Sequence, residues 1–194
     1  MGKLLDFPNA KIGAQLKTTY TIECFRHYFK DGTRCLNPKD HDPSELVRVK
    51  QWEESFNNLV MTAGLNELVD GVFLEAPSGF TWYVGLIGDE SPNVYAAGDT
   101  LASHSGWTEF TSYSEGARQA WTNNGAASSG STSNSSSKAE FSISGSGIVG
   151  GAFLATASTG TSGILYGGGD FASSRSVENG DTLTVQATVS AAAV

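Results

Sequence analysis

The stretch GDTLTVQATVS, residues 180–190, places Leu183, Val185, Ala187 and Val189 at every second position, with Thr184, Gln186, Thr188 and Ser190 between them. A period of two is the mark of a strand with one face in a core and the other in water. This end of the chain therefore demands an antiparallel sheet. KAEFSISG (138–145) repeats the pattern, with Ala139, Phe141 and Ile143 on one face. GIVGGAFLATAS (147–158) and SGILYGGGDF (162–171) are strands punctuated by glycine. Gly150, Gly151 and Gly167–Gly169 are expected at bulges or where two backbones come close. Short strands separated by turn signals at intervals of about ten residues point to a sandwich or a jelly-roll-like barrel.

Composition agrees. Charged residues make up only 16% of the chain and glycines number 23, which is poor material for a helical bundle and good material for a turn-rich β protein. A length of 194 residues suits one domain, or one domain with an extension. The expected fold is mainly β: an antiparallel β-sandwich with jelly-roll character, preceded by an N-terminal extended arm and a short helical segment. Residues 1–50 would be the arm and a first β-hairpin, and residues 51–194 the sandwich body.

Residues 1–17 show no clear period, whereas TTYTIECFRHYF (18–29) is rich in β-branched and aromatic residues. One face of that strand carries Tyr20, Ile22, Cys24 and Arg26. The other carries Thr21, Glu23, Phe25, His27 and Phe29. Asp31-Gly32 makes the turn, and LNPKDHDPSE (36–45), with two prolines, is an exposed loop. The helical segment is placed at about 51–74. Trp52, Phe56, Leu59 and Val60 fall at i, i+4, i+7 and i+8. Thr62 can N-cap a second stretch with Leu65, Leu68, Val69, Val72 and Phe73 on one side, and Gly64 can break the two. FTWYVGLIG (80–88), WTEF (107–110) and ARQAW (117–121) read as strands, and AAGDTLASH (96–104) as a turn with one helical turn. TNNGAASSGSTSNSSS (122–137) is a low-complexity polar run, expected to be a mobile loop or one held by a neighbouring chain.

The net charge of −8 is unevenly spread. Residues 1–50 hold 9 Lys+Arg against 6 Asp+Glu, and residues 51–194 hold 3 against 14. An acidic body excludes nucleic acid as the expected partner, because phosphates demand a basic face. The mildly basic first segment can dock on an acidic protein partner through Lys11, Lys17, Tyr20, Arg26, Tyr28, Lys30 and Arg34. No apolar run approaches the roughly 18 residues of a membrane span. MGKLLDFPNAKIG lacks the apolar core of a signal peptide, so synthesis in a cytoplasm, with action there or in an assembly built there, is expected. Cys24 and Cys35 flank the Asp31-Gly32 turn and could face each other across a hairpin, as two reduced, half-buried thiols. His27 and His41 could complete a four-ligand metal site only at irregular spacing, so no metal is expected.

Ser103, His104, Ser105 and Glu109 crowd into LASHSGWTEFTSYSEGARQAW (101–121). A serine nucleophile needs a base on its hydroxyl and a third group orienting the base. Ser103 and His104 are neighbours and would point to opposite faces of a strand, and no GxSxG elbow is present. The better reading is structural: Ser103 and Ser105 bond backbone amides in a tight turn, His104 pins it, and Trp107 covers the core. Asp89, Glu90, Asp99, Glu109 and Glu115 offer loop carboxylates for glycosidic chemistry. Trp82, Trp107, Trp121 and Tyr113 offer aromatic faces for a sugar. GGGDF (167–171) has no lysine and no following helix, so it is no phosphate cradle, and no cofactor is expected.

The segments NLVMTAGLNELVD (58–70), WYVGLIG (82–88), AAGDTLASHSGWTEFTSYSE (96–115), IVGGAFLAT (148–156), GILYGGGDF (163–171) and RSVENGDTLTVQATV (175–189) together resemble a family of tailed-bacteriophage virion structural proteins. Arg118 to Trp121 and NSSSKAEFSIS (134–144) belong to the same series. The most specific string is Ser103, His104, Gly106, Trp107 and Glu109, and the first fifty or so residues lie outside the likeness. The resemblance implies a capsid cement or decoration protein without enzymatic residues. It would be made in the host bacterial cytoplasm and sit on the outer surface of the capsid. Its partners would be the major capsid protein and itself, as a homotrimer. The alternative is a phage tail or fibre protein that binds a host-surface glycan through Trp107, Trp121 and Tyr113.

Overall fold

The computed structural model describes residues 14–73, 80–89 and 92–193. In chain order they form β1 (Ala14–Phe29), β2 (Arg34–Cys35), β3 (Leu46–Asn57), β4 (Leu59–Val60), α1 (Thr62–Phe73), β5 (Tyr83–Ile87), β6 (Glu109–Phe110), β7 (Gln119–Ala120), β8 (Ser131–Ser133), β9 (Ala139–Ser142), β10 (Gly147–Ala155), β11 (Leu165–Val177) and β12 (Thr182–Ala193). The protein is mainly β, with two antiparallel sheets.

The first sheet is centred on β1 and β12, which pair without interruption from Ala14↔Ala193 to Phe25↔Thr182. β3 also pairs with β1, from Thr19↔Asn57 to Phe29↔Leu46. Since β12 and β3 share partners on β1, they lie on opposite sides of it. β8 and β9 follow one another along the far side of β12. The second sheet runs β4-β11-β10-β5-β6, and β7 also pairs with β5.

The inward face of the first sheet is the one predicted: Tyr20, Ile22, Cys24, Phe141, Leu183, Val185 and Ala187 are all buried. They meet Val84, Leu86, Ala152 and Leu154 of the second sheet in one core cluster. The second sheet is covered on its other face as well. Phe153, Ile87 and Leu165 pack there with Met61, Leu101 and Trp107. Burial on both faces is why β10 reads as a continuous apolar run instead of an alternating one. Each large apolar side chain so buried contributes about 1.5–3 kcal/mol.

The helical segment is shorter than the sequence suggests. Only Thr62–Phe73 is helical, while Trp52 and Phe56 belong to strand β3. The Leu65 amide donates to the Met61 carbonyl, so Met61 holds the N-cap position expected for Thr62. Gly64 does not break the helix. It lets α1 lie against β11, since a Cβ there would come 2.6 Å from the Tyr166 carbonyl oxygen. Leu68 packs on the core, and the side chains of Val69, Val72 and Phe73 lie outside those described.

Gly150 sits at the register shift between Val149 and Gly151, and Gly167–Gly169 abut Asn57–Val60, as the glycine pattern indicated. Residues 96–104 contain turns and bridges but no helical turn. Cys35 pairs with His27, so it does not face Cys24 across the hairpin, and both cysteines are buried free thiols. The polar run 122–137 is ordered by its own chain: β8 joins β12, and the buried Asn134 amide donates to the Val185 carbonyl (3.1 Å) while accepting from the Ala187 amide (2.8 Å).

Candidate functional site

Residues 96–118 form the corner that seals the outer face of the second sheet. The Asp99 carboxylate accepts the Ala96 amide at 3.1 Å and the Trp107 indole N–H at 3.3 Å. Thr100 and Ser103 close a tight turn through reciprocal backbone bonds of 2.9 and 3.1 Å. The hydroxyl that accepts the Ser103 amide is that of Thr100, not a serine as expected. His104 stacks on Trp107 with ring centroids 3.9 Å apart, and its Nδ1 lies 3.0 Å from the Trp107 carbonyl. Trp107 is 1% exposed and packs on Phe153.

Glu109 leaves this corner to meet Arg118. The guanidinium donates to both carboxylate oxygens, Nε at 2.9 Å and Nη2 at 2.7 Å, and also to the carbonyls of Ala157 (2.8 Å) and Gly160 (3.0 Å). These two side chains, with Tyr113, Ser158 and Thr159, line a hollow of about 150 Å³. Burial, then the nearby Glu109 carboxylate, push the Tyr113 hydroxyl up to about 12. The constellation Ser103–His104–Glu109 is therefore not assembled as a triad: Glu109 is clamped by Arg118, and His104 Nδ1 is engaged by the Trp107 carbonyl. Of the other loop carboxylates, Glu115 accepts the Ser142 amide at 3.1 Å and pairs with Lys39 at 2.6 Å, while Glu90 lies outside the described residues.

The aromatic set does not form one exposed cleft. Trp107 and Tyr113 are buried. Trp121 is half-buried, its indole N–H donating to the Ala187 carbonyl at 3.0 Å. With Trp82, Leu68, Leu154, Tyr166 and Val189 it lines an apolar hollow of about 110 Å³.

The basic N-terminal set is also scattered. Lys11 lies outside the described residues. Lys17 and Lys30 are exposed, and Tyr28 is half-buried. Tyr20 is fully buried, with its hydroxyl donating to the Gly167 carbonyl at 3.3 Å, so this fold gives it no surface for a partner. Arg26 and Arg34 converge on two acids that the sequence reading did not single out. Arg26 Nε and Nη2 donate to the buried Asp181 carboxylate at 2.8 and 3.0 Å, and Nη2 also reaches Glu178 at 3.1 Å. Arg34 donates to Glu178, to the Asn179 carbonyl (2.8 Å) and to Asp181 (3.3 Å). Asp181 raises the Arg26 pKa further. Much of the basic balance of the first segment is thus neutralised inside the fold. No local pattern foretells this, because the partners stand about 150 residues apart.

Comparison with protein-family models and with curated proteins finds no match to this chain. Among the described residues, no helix is long and apolar enough to cross a membrane.

Proposed function

We propose that the chain is a non-enzymatic virion structural protein of the capsid cement or decoration type, acting by association with the shell. One observation carries the reading. The residues of the most specific string, Ser103, His104, Trp107 and Glu109, serve as scaffold: a closed turn, a stacked ring, a buried indole and a clamped carboxylate. With its side chains engaged in holding the corner, the string presents no poised nucleophile and base, which favours association over catalysis. Jelly-roll connectivity and an N-terminal arm belong to the same proposal. Jelly-roll connectivity draws support from the passage of the chain from the second sheet to the first between β11 and β12, whereas residues 14–29 of the expected arm are the central strand of the first sheet and so belong to the body. Since Arg26 and Arg34 are held internally, Lys17 and Lys30 are the exposed lysines of the expected contact set that this fold can offer to an acidic capsid surface.

The test is the copy number of this chain relative to the major capsid protein in purified virions, by quantitative mass spectrometry. A ratio near one, or a simple fraction of it, places the chain on the shell. A handful of copies per particle overturns the cement reading and moves the chain to the tail. In the first case, the double variant Lys17→Glu/Lys30→Glu should lower occupancy without unfolding the protein.

A further inference from the structure

Strand β3 is a twelve-residue edge. One side pairs with β1, and none of the described strands pairs with the other. Long open edges are hazards that proteins blunt with charge, proline, bulges or extreme shortness. This edge carries one bulge, opposite the Cys24–Phe25 step, but contains no proline and exposes Val47 (47%) and Val49 (40%). Its charges are divided by sign: Arg48 and Lys50 occupy the first half, Glu53 and Glu54 the second. An edge of one sign repels every copy of itself. An edge divided in this way is complementary to itself when turned antiparallel.

We propose that β3 pairs with β3 of a second copy of this chain across a two-fold axis, so that the first sheet runs through the dimer. The axis falls between Lys50 and Gln51. Arg48 of each copy then lies opposite Glu53 of the other, and Val49 opposite Trp52. The bulge opposite the Cys24–Phe25 step makes this register work. Arg48 lies over the Phe25 ring at 3.7 Å, and Glu53 bonds Lys50, which also bonds Glu23, so both halves of the charged pair stand on the outer face. Trp52 packs inward on Phe171, and Val49, next to Arg48, shares that inner face. Without the extra residue at the bulge, the same centre would set outer side chains against inner ones. The Gln51 side chain donates to the Val49 carbonyl at 3.1 Å, and this bond sits beside the axis. The interface is isologous, and it differs in symmetry from the three-fold association expected from family resemblance. It holds whether or not the chain sits on a capsid.

Light scattering coupled to size-exclusion chromatography tests it on the full chain. The expected mass is twice 20.4 kDa. Arg48→Glu and Glu53→Arg should each return the mass to that of one chain, and the double exchange Arg48→Glu/Glu53→Arg should restore the dimer. A single-chain or three-chain mass for the unaltered protein overturns the proposal. So does a dimer indifferent to the single reversals, or a double exchange that stays monomeric. Should a variant fail to fold, hydrogen exchange on the unaltered chain decides: β3 amides must gain protection as protein concentration rises, and constant protection overturns the interface.

Discussion

Arg118 and Glu109 meet fork to fork, with 6% and 21% of their side chains exposed, and the guanidinium also fastens the Ala157 and Gly160 carbonyls. The pair ties the end of the corner to the loop after β10. Breaking a buried pair by removing one partner leaves the other charge uncompensated, at a cost of about 3 kcal/mol. Glu109→Ala should therefore lower the urea midpoint more than the apolar double exchange Glu109→Leu/Arg118→Met. Equal losses would mean that the charges themselves are not what matters there.

Gly64→Ala should destabilise the protein although alanine is the better helix former by about 1 kcal/mol. The added methyl would meet the Tyr166 backbone, with its carbonyl oxygen 2.6 Å and its Cα 2.8 Å away. Overpacking of this kind costs about 1–3 kcal/mol. Thermal unfolding decides the sign, and a raised midpoint would show that α1 can shift off β11.

Glu23 accepts hydrogen bonds from Lys138 at 2.5 Å and Thr184 at 3.3 Å, and pairs with Lys50 at 2.8 Å. The bonds from Lys138, then from Lys50, lower its pKa from 4.5 to about 2. A carboxyl held lower in the folded state binds its proton first in the unfolded chain. Its stabilisation is therefore complete above 4.5 and is lost as pH falls toward about 2. Glu23→Gln should flatten the acid limb of a stability–pH profile while leaving the fold intact. A profile unchanged by the substitution would assign acid sensitivity to other carboxylates.

Burial, then the Asp181 carboxylate, push the Cys24 thiol up to about 12. The thiolate is the reactive species, so Cys24 should resist alkylation at neutral pH in the native protein and react fully once urea unfolds it. Prompt native labelling of Cys24, read by peptide mass spectrometry, would show that the strand pair around it opens.

The strands with one clean apolar face were legible because alternation needs only local information: β9 and the inner face of β1 follow it residue by residue, and β12 follows it except where Thr182 and Thr184 of the polar face are also buried. β3 was not. Trp52 and Phe56 are four apart, a spacing that suits a helix and equally puts two residues on one face of a strand. The position between them, which should have betrayed the strand by being apolar, is Glu54, held at the edge by Arg175. The turn role of residues 99–107 was visible in its small polar residues, but the clamp between Glu109 and Arg118 was not, since half of Arg118's bonds go to carbonyls some forty residues away. For the same reason Arg26 and Arg34 looked like free surface charge. Their acids lie beyond β11.

The pairing of Ala14 with Ala193 has a consequence for the order of events at the ribosome. Of the described strands β1 emerges first and β12 last, yet each forms its longest ladder with the other. The first sheet therefore cannot close until β12 has left the ribosome. Until then one side of β1 holds a strand's worth of unpaired backbone, with β2 and β3 as its early companions. Contacts of such long sequence separation slow folding, and the waiting edge is the part of the nascent chain most in need of shelter from its neighbours on the same message.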